Sequence, residues 1–205
     1  MTDSVTNDIR NSYDKICEQW CDFRKNTKIN RCVVEFSELL KPGSKVLDIG
    51  CGTGYPISAY LVRRGFAVTG IDISEKMIEK ARQLELPTAS FLVGDLLDFH
   101  PSEKYDAIIA FDSLWHISHD KQKEIYEVIS SLMNVGGYFL FTHGNKAGSV
   151  IGEMFGERFY HSALDVEEVH EFLGAYGFSI LASVENYKEE TTGDRGLLVV
   201  AKKTA

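Results

Sequence analysis

The stretch "KVLDIGCGTGYP", Lys45 to Pro56, carries three alternating glycines, Gly50, Gly52 and Gly54. They follow a short apolar run and precede residues with helical spacing. Glycine lacks a Cβ atom, so a glycine-rich turn between a strand and a helix lets the backbone approach a ligand closely. Several nucleotide cofactors bind at turns of this kind. The stretch therefore predicts a strand–turn–helix unit with a cofactor at the turn.

The alternation of strands and helices continues through most of the chain. Short apolar strands are predicted at 45–50, 66–72, 90–95, 105–111 and 137–143, with helices at 54–64, 74–84 and 119–132. Strands that are apolar almost throughout and are separated by helices are typical of a parallel sheet covered on both faces. The sequence therefore predicts an α/β fold.

Both ends of the chain depart from this alternation. Two helices precede it, at 6–22 and 26–40. Near the other end a helix is predicted in "DVEEVHEFLGAYGF" (165–178), with Asp165 and Glu168 placed as a capping box, and two strands follow it with no helix between them. Such strands pair as a hairpin, so the last strand is expected to be antiparallel. We expect the 205 residues to form one domain, in which the N-terminal helices (1–42) and a loop-rich insertion at 144–164 close over the site.

Composition and charge limit the partners of the protein. The chain has 44% apolar residues, a net charge of −8 and no block of Lys or Arg. Nucleic-acid binding normally needs a basic surface, and a bilayer span needs about 20 apolar residues in a row. We therefore expect a small-molecule partner, no nucleic acid and no membrane span. The polar N-terminus favours a cytoplasmic protein. Nothing in the sequence indicates the oligomeric state.

The four cysteines do not have the spacing of a metal site. Cys17 and Cys21 lie four residues apart, Cys32 stands alone, and Cys51 lies within the glycine turn. No CxxC pair or Cys/His pattern typical of zinc is present. We therefore expect no metal.

Acidic residues end the strands that neighbour the glycine turn. Asp72 lies 22 residues after Gly50 and ends the second strand, and Asp95 ends the third. A carboxylate at about this distance is suited to hold the two hydroxyls of a ribose. Ligands of parallel sheets bind at the carboxyl ends of the strands, so these side chains are expected to meet at one site.

The glycine spacing separates two cofactor classes. A dinucleotide fingerprint, G-x-G-x-x-G, needs a third glycine where this chain has Tyr55 or Ile57. The spacing is instead G-x-G-x-G, preceded by Asp48, whose charge would repel a pyrophosphate but could face a cation. An NAD-dependent oxidoreductase stays an alternative that these features disfavour.

With these residues the sequence resembles the class I S-adenosylmethionine-dependent methyltransferases. "VLDIGCGTG" matches the first motif of that family, and the resemblance extends over nearly the whole chain, most closely to small, poorly characterised bacterial-type members. The family implies a Rossmann-like, seven-stranded, mostly parallel sheet with an antiparallel last strand. It also implies transfer of a methyl group to a small-molecule acceptor by SN2 displacement. A module that binds the cofactor without catalysis is a further alternative.

The resemblance implies a role for each residue that matches a family motif. Gly50, Cys51 and Gly52 would approach the methionine part of S-adenosylmethionine, and Asp48 would face its ammonium group. The other implied cofactor contacts are Asp72 at the ribose, Ile73, Asp95 and Leu96 at the adenine, Phe111 and Asp112 at the sulfonium end, and Tyr13 at the carboxylate. Trp20 stands where the family often has a second tyrosine.

The acceptor side is less strongly specified. A general base is needed only if the acceptor loses a proton, and His116 follows the fourth strand at the rim where the acceptor is expected. His116 is the catalytic candidate, with a packing histidine as the alternative. The residues expected to contact the acceptor are Trp115, His143, Tyr160 and His161.

Overall fold

The computed structural model describes residues 4–189 and 193–205. It contains nine strands: β1 (Lys45–Ile49), β2 (Ala67–Asp72), β3 (Ala89–Val93), β4 (Tyr105–Ala110), β5 (Met133–His143), β6 (Gly148–Met154), β7 (Glu157–Ala163), β8 (Phe178–Tyr187) and β9 (Arg195–Lys203). Seven of them form one sheet in the order β3-β2-β1-β4-β5-β9-β8. In that sheet only β9 runs antiparallel to its neighbours. The predicted fold class is confirmed. Residues 190–192, in the connection between β8 and β9, lie outside the described part.

Six helices accompany the strands in the described residues: α1 (Ser4–Arg24), α2 (Arg31–Ser37), α3 (Ile57–Arg63), α4 (Glu75–Arg82), α5 (Glu124–Leu132) and α6 (Val166–Ala175). Short polar side chains set two of their starts. Ser74 accepts a hydrogen bond from Met77 N at the start of α4, and Asp165 and Glu168 form the predicted capping box of α6. No helix among residues 4–189 and 193–205 is long and apolar enough to cross a membrane.

The two faces of the sheet bury different helices. Alternate residues of a strand point to opposite faces, and Leu47 packs in the cluster that contains α5 and α6 residues, whereas Val46 packs in the cluster with α2 and α3. Both residues are fully buried. Asp48 follows the same alternation as Val46, so its carboxylate points toward α3. The apolar strands thus hold one polar group at the end of the sheet.

The sheet order places a crevice beyond the end of β1. β1 pairs with β2 on one side and with β4 on the other, and both neighbours are parallel to it. The connections that follow these strands leave in opposite directions, which is the arrangement that forms a ligand crevice in open α/β sheets. The glycine turn, Asp72 and the residues after β4 all lie at this crevice.

Two segments differ from the sequence prediction. Residues 144–164, predicted to be loop-rich, contain an antiparallel hairpin of β6 and β7 that forms a separate two-stranded sheet. The second helix, predicted at 26–40, covers only Arg31–Ser37, because Asn30 is extended (φ −67°, ψ 137°) and interrupts the helical run. The hairpin lies at the crevice, whereas α2 packs with α3 against the sheet.

Candidate active site

A cavity of about 450 Å³ lies in this crevice, between the carboxyl ends of the strands, α1 and the β6–β7 hairpin. Its volume is in the range of small-molecule sites. Fourteen of the sixteen predicted site residues line it: Tyr13, Asp48, Gly50, Cys51, Gly52, Asp72, Ile73, Asp95, Leu96, Phe111, Asp112, Trp115, His116 and His161. His143 and Tyr160 do not line it.

The glycine turn crosses the floor of the cavity in a conformation that other residues rarely adopt. Gly50 and Gly52 have φ values of +68° and +55°. The backbone N–H groups of Gly50 and Cys51 both donate to the carbonyl oxygen of Ile71, over 2.8 and 3.0 Å, which fixes the turn to β2. A Cβ atom on Gly50 would lie 2.3 Å from Cβ of Ser113. Glycine at this position is therefore required by both the backbone conformation and the close approach of Ser113.

Asp48 is a buried carboxylate beneath the turn. It is 2% exposed, and Oγ of Ser58 on α3 donates to its Oδ2 over 2.6 Å. Burial raises the pKa of Asp48 to about 6, although the Ser58 hydrogen bond acts in the opposite direction. A carboxylate with one neutral hydrogen-bond donor and no buried cation bonded to it is suited to face a cationic ligand.

Asp72, at the end of β2, organises the part of the cavity beside the glycine turn. Its Oδ2 accepts from Gly52 N and its Oδ1 from Ser74 N, each over 2.9 Å. Burial raises the pKa of Asp72 to about 6, and these two backbone hydrogen bonds oppose the rise. A carboxylate offers about four lone-pair positions, so two backbone donors leave capacity for a ligand's hydroxyl groups.

Asp95 and its neighbours form the next part of the wall. The Asp95 side chain accepts from Leu97 N over 3.1 Å and caps a 3₁₀ turn at Leu96–Asp98. Capping uses one oxygen, Oδ1, of the carboxylate. Ile73 and Leu96 add apolar surface to the same wall, as expected for a site that holds a flat ring.

Helix α1 lies across the cavity and is attached on two sides. Beside the end of β2, Arg10 Nε donates to the carbonyl oxygen of Ile73 over 3.0 Å, and Ser74 Oγ donates to Asp14 over 2.6 Å. On the hairpin side, Ser12 Oγ donates to the carbonyl oxygen of Arg158 over 2.9 Å. The helix thereby separates the cavity from solvent.

His116 lies on the opposite wall and is held at both ring nitrogens. Its Nδ1 is 2.8 Å from the carbonyl oxygen of Tyr160, and its Nε2 is 2.9 Å from the hydroxyl of Tyr13. A carbonyl oxygen only accepts, so Nδ1 carries the proton and Nε2 accepts from Tyr13. Trp115 Nε1 also donates to Nε2, over 3.3 Å. Burial lowers the pKa of His116 to about 3, so the ring is neutral near pH 7.

Aromatic rings surround His116 and form most of this wall. The ring of His161 lies 4.8 Å from that of His116, and the ring of Phe159 lies 4.8 Å from that of Tyr13, measured between centroids. Burial also lowers the pKa of His161. Gly152, on the facing hairpin strand, leaves space beside His161, because a Cβ there would lie 3.3 Å from the imidazole. The wall is suited to contact a flat or apolar acceptor.

His143 and Tyr160 have other surroundings. His143 is fully buried, and its ring nitrogens lie 2.9 Å from the carbonyl oxygen of Gly144 and 2.9 Å from Oε1 of Gln122. The Tyr160 hydroxyl accepts from His119 N over 3.2 Å. Tyr160 contributes to the site through its carbonyl oxygen, which orients His116. The structure therefore lends no support to an acceptor contact by either side chain.

Two arginines at the site were not found by sequence reasoning. Arg24, at the end of α1, lines the cavity with its guanidinium 5.4 Å from the centre of the Trp20 ring. Arg195, at the start of β9, forms a two-pronged ion pair with Asp112 and lies over the rings of Phe111 and Trp115, 5.7 and 5.8 Å away. The i, i+4 spacing of Trp20 and Arg24 on one helix was the available signal for the first. No local signal linked Arg195 to Asp112, 83 residues earlier.

The described residues contain no group of three or more His, Cys, Asp or Glu side chains placed to hold a metal ion. The four cysteines are free thiols. Cys51 lines the cavity, and burial raises the pKa of its thiol well above its ordinary value. This thiol is therefore protonated near pH 7.

Comparison with known proteins agrees with this geometry. A sequence family described as a methyltransferase domain matches residues 46–137, which run from β1 into β5 and include the glycine turn, Asp72, Asp95 and His116. This segment, a little under half of the chain, is similar to a methyltransferase domain. The match supports the resemblance to methyltransferases that the first motif indicates.

Several known proteins and solved structures resemble the chain. Malonyl-(acyl-carrier protein) O-methyltransferase 1 of Ilyobacter polytropus is 27% identical over 174 residues, which cover 78% of this chain and 63% of that protein. Magnesium protoporphyrin IX methyltransferase of Synechocystis PCC 6803, solved with S-adenosylmethionine, has a TM-score of 0.64 and 23% identity over 100% of this chain and 86% of its own. The cyclase SpnF has a TM-score of 0.75 and 18% identity, and the match covers 98% of this chain and 97% of SpnF. The two structural matches support the fold alone.

The chain spans less than two thirds of the length of the first curated relatives that it matches, at 63%, 47% and 34%.

Proposed function

We propose that the protein binds S-adenosylmethionine in this cavity and transfers its methyl group to a small-molecule acceptor. The observation that carries the proposal is the position of the glycine turn, Asp72 and Asp95 around one cavity whose opposite wall is formed by Tyr13, Trp115 and His116. One side of the cavity has the chemistry to hold a nucleoside with an amino-acid tail. The other side is aromatic and polarisable, and lies under α1.

The residues present fit this cofactor. Gly50 and Gly52 give the backbone the close approach that a methionine chain needs, and the buried carboxylate of Asp48 matches an ammonium group. Asp72 keeps acceptor positions for the ribose hydroxyls, and Ile73 and Leu96 supply apolar surface for the adenine, beside the free oxygen of Asp95. Ser113 Oγ is buried at the cavity without a hydrogen-bond partner among the described residues. A polar ligand would satisfy this hydroxyl.

S-adenosylmethionine, when bound, supplies an electrophilic methyl group on a sulfonium centre. The task of the protein is then to hold the acceptor in line and to exclude water. Phe111 and Asp112 border the space between the two walls, and α1 together with Phe159 covers it. Arg195 forms an ion pair with Asp112, so the carboxylate that borders this space has a cationic partner.

His116 is the residue that could accept a proton from the acceptor. Its neutral ring has a lone pair on Nε2, and the hydrogen bond from Nδ1 to Tyr160 fixes that tautomer. An acceptor would displace the Tyr13 hydroxyl to reach this nitrogen. His161 contacts the same space beside His116 and is proposed to position the acceptor, together with Trp115. An acceptor that loses no proton would need neither imidazole as a base.

The proposal extends to the partners of the protein. The net charge of −8 and the carboxylates at the cavity favour a small metabolite over nucleic acid. We propose that the chain acts as one unit without a metal ion, with the N-terminal helices and the hairpin of residues 144–164 forming the acceptor side.

The test is calorimetric titration with S-adenosylhomocysteine, and in parallel with NAD(H). We expect S-adenosylhomocysteine alone to bind, with Asp72→Ala weakening it by on the order of 2–4 kcal/mol because charge-assisted hydrogen bonds are lost. Asp120→Ala, at an exposed position outside the cavity, is the control. Binding of NAD(H) alone would refute the proposal.

Turnover then separates the enzyme from a module that only binds the cofactor. Release of S-adenosylhomocysteine in the presence of a panel of small acceptors is expected for the enzyme. A protein that binds the cofactor but turns over no acceptor would instead support the module. His116→Ala would then bind the cofactor as the wild type does.

A further inference from the structure

The buried amide of Gln122 connects segments that meet behind the acceptor side of the cavity. Gln122 precedes α5 and is fully buried. Its Nε2 donates to the carbonyl oxygens of Leu114 and Ile117, over 2.9 and 3.0 Å. These two residues bracket Trp115 and His116 along the chain. One side chain thus holds both ends of the short segment that carries two of the candidate acceptor residues.

The same amide also reaches the hairpin. Gln122 Nε2 lies 3.0 Å from Oγ of Ser162 on β7, and that hydroxyl donates to the carbonyl oxygen of Ile117 over 2.6 Å. Ser162 directly follows His161, whose ring lies 4.8 Å from that of His116. Gln122 and Ser162 therefore connect the strand that carries one of these rings to the segment that carries the other.

The partners of the amide determine its orientation. Carbonyl oxygens only accept, so the amide nitrogen faces Leu114 and Ile117 and the amide oxygen faces the other way. There Oε1 accepts from Nε2 of His143, at the end of β5, over 2.9 Å. The network needs donors and an acceptor on one planar group, which neither a carboxylate nor an apolar side chain supplies. The chemistry of the amide, and not only its size, is therefore matched to this position.

The segment that Gln122 holds has few backbone hydrogen bonds of its own. Leu114–His116 is a single 3₁₀ turn. Its hydrogen bonds run from His116 N to the carbonyl oxygen of Ser113 and from the next amide to that of Leu114, over 3.1 and 3.2 Å. Within the described residues, the Ser113 side chain makes no capping bond to this turn. Because short 3₁₀ turns have poorer hydrogen-bond geometry than α-helices, the position of the backbone that carries His116 depends on bonds from outside the turn.

We propose that Gln122 is a positioning residue: it fixes the segment of His116 against the hairpin and so sets the distance between His116 and His161 at which the acceptor is held. This inference rests on the proposed function. Gln122 itself does not line the cavity, so it acts through the residues that it holds. Loss of its hydrogen bonds should disturb this wall and leave the glycine turn and Asp72, on the other side of the cavity, unchanged.

The first experiment measures the segment directly by NMR in Gln122→Met, which keeps the length of the side chain and removes its hydrogen bonds. The carbonyl oxygens of Leu114 and Ile117 each keep another donor, so the variant is expected to fold. The backbone amides of His116 and Ile117 should exchange with solvent about 10- to 100-fold faster, since buried hydrogen bonds that hold the turn are lost. The pKa of His116 should rise from about 3, because a looser wall leaves its ring better solvated. The control is Leu173→Val, a buried change on α6 outside the cavity lining, which should leave both quantities as in wild type.

The second experiment measures binding and turnover. For an acceptor that the wild type methylates, kcat/KM should fall about 10- to 100-fold in Gln122→Met, while calorimetry gives the wild-type affinity for S-adenosylhomocysteine. Ser162→Ala removes only the link to the hairpin and should change amide exchange and kcat/KM in the same direction by a smaller factor. Because the two side chains share one contact, the double variant should lose less than the two single variants together.

The outcomes separate this inference from the proposed function. Wild-type amide exchange and a wild-type pKa of His116 in Gln122→Met and in Ser162→Ala overturn the inference and leave the proposed function intact. Equal changes in Leu173→Val would show a general loss of stability and overturn the inference as well. A wild-type protein that binds no S-adenosylhomocysteine overturns the proposed function itself, and amide exchange, which needs no ligand, still decides whether Gln122 fixes the segment.

Discussion

The hydroxyl of Tyr13 on α1 donates a hydrogen bond to Nε2 of His116 on the opposite wall, over 2.9 Å. This bond joins the helix that covers the cavity to the residue best placed to act as a base. It shares the only lone pair of the neutral imidazole with Trp115 Nε1, because Nδ1 is bonded to the carbonyl oxygen of Tyr160. The acceptor and Tyr13 therefore compete for the same nitrogen.

Tyr13→Phe tests this competition. A donor to Nε2 stabilises the neutral ring, so its removal is expected to raise the pKa of His116 from about 3. The loss of one hydrogen bond corresponds to roughly half to one pKa unit. The pKa is measured by NMR titration of the imidazole nitrogens. Tyr55→Phe, which also changes a tyrosine at the cavity, should leave it unchanged. A His116 that titrates identically in wild type and Tyr13→Phe would contradict the assigned hydrogen bond.

Gly50→Ala is expected to destabilise the protein and to abolish cofactor binding. The new methyl group must adopt a positive φ, at a cost of about 1–2 kcal/mol, and must also displace Ser113, at a further cost of about 1–3 kcal/mol. Gly43→Ala is the matched control, since Gly43 has φ +78° and a Cβ there meets nothing within 4 Å. Urea unfolding gives both free energies.

The contact with Ser113 can be relieved separately. Ser113→Gly removes the Cβ atom that the new methyl group would meet, so the double variant Gly50→Ala/Ser113→Gly should recover the part of the loss that exceeds the Gly43→Ala cost. If the double variant is as unstable as the sum of the two single changes, steric contact with Ser113 is not the cause.

Asp48→Asn should stabilise the protein at neutral pH and weaken the binding of the cofactor. The pKa of Asp48 is raised from 3.8 to about 6 in the folded state. Above pH 6 the group is ionised in both the folded and the unfolded state, so the folded state carries the full penalty; below about pH 4 both states are neutral. The gain in unfolding free energy should therefore appear between pH 4 and 6 and remain above it, on the order of 1–3 kcal/mol.

Urea unfolding at pH 4.5 and pH 8 measures this difference, with the exposed Asp98→Asn as control. S-adenosylmethionine, whose ammonium group loses a charged partner, should bind more weakly to Asp48→Asn. A variant that is equally stable relative to wild type at both pH values would show that burial does not hold the pKa up.

Replacing one partner of the Asp112–Arg195 ion pair is expected to destabilise the protein more than replacing both partners. Their side chains are 23% and 10% exposed, so Arg195→Gln leaves a largely buried carboxylate and should cost about 1–3 kcal/mol. The double variant Asp112→Asn/Arg195→Gln should cost less than the sum of the single changes. Asparagine is chosen because residue 112 has φ +58°, a conformation that it tolerates. A double-mutant cycle in urea gives the coupling, and additivity would contradict it.

The fold and the part of the cavity beside the glycine turn could be predicted because they depend on local sequence. Asp48, Asp72 and Asp95 each lie at or immediately after an apolar strand, and parallel strands bring such ends to one edge. The glycine turn adds a pattern that only a close backbone approach explains. For these residues, position along the chain was sufficient to give position in space.

The acceptor side depends on contacts between distant segments. His143 was correctly placed at the end of β5, but its ring is buried between Gly144 and Gln122, and no pattern in the strand determines that direction. Arg24 reaches the cavity only because α1 lies across it. The hairpin of β6 and β7 pairs with itself and exposes apolar residues such as Val150 and Ile151, 64% and 48% exposed, so it lacks the buried pattern of the central strands.

The double attachment of α1 has a kinetic consequence. Arg10 and Asp14 bind it to Ile73 and Ser74 after β2, and Ser12 binds it to the hairpin. These three residues lie within two turns of one helix, so the helix cannot release one side and keep the other without bending. Departure of the nucleoside and departure of the methylated product would then share a single opening event, and the two would leave at rates set by the same step.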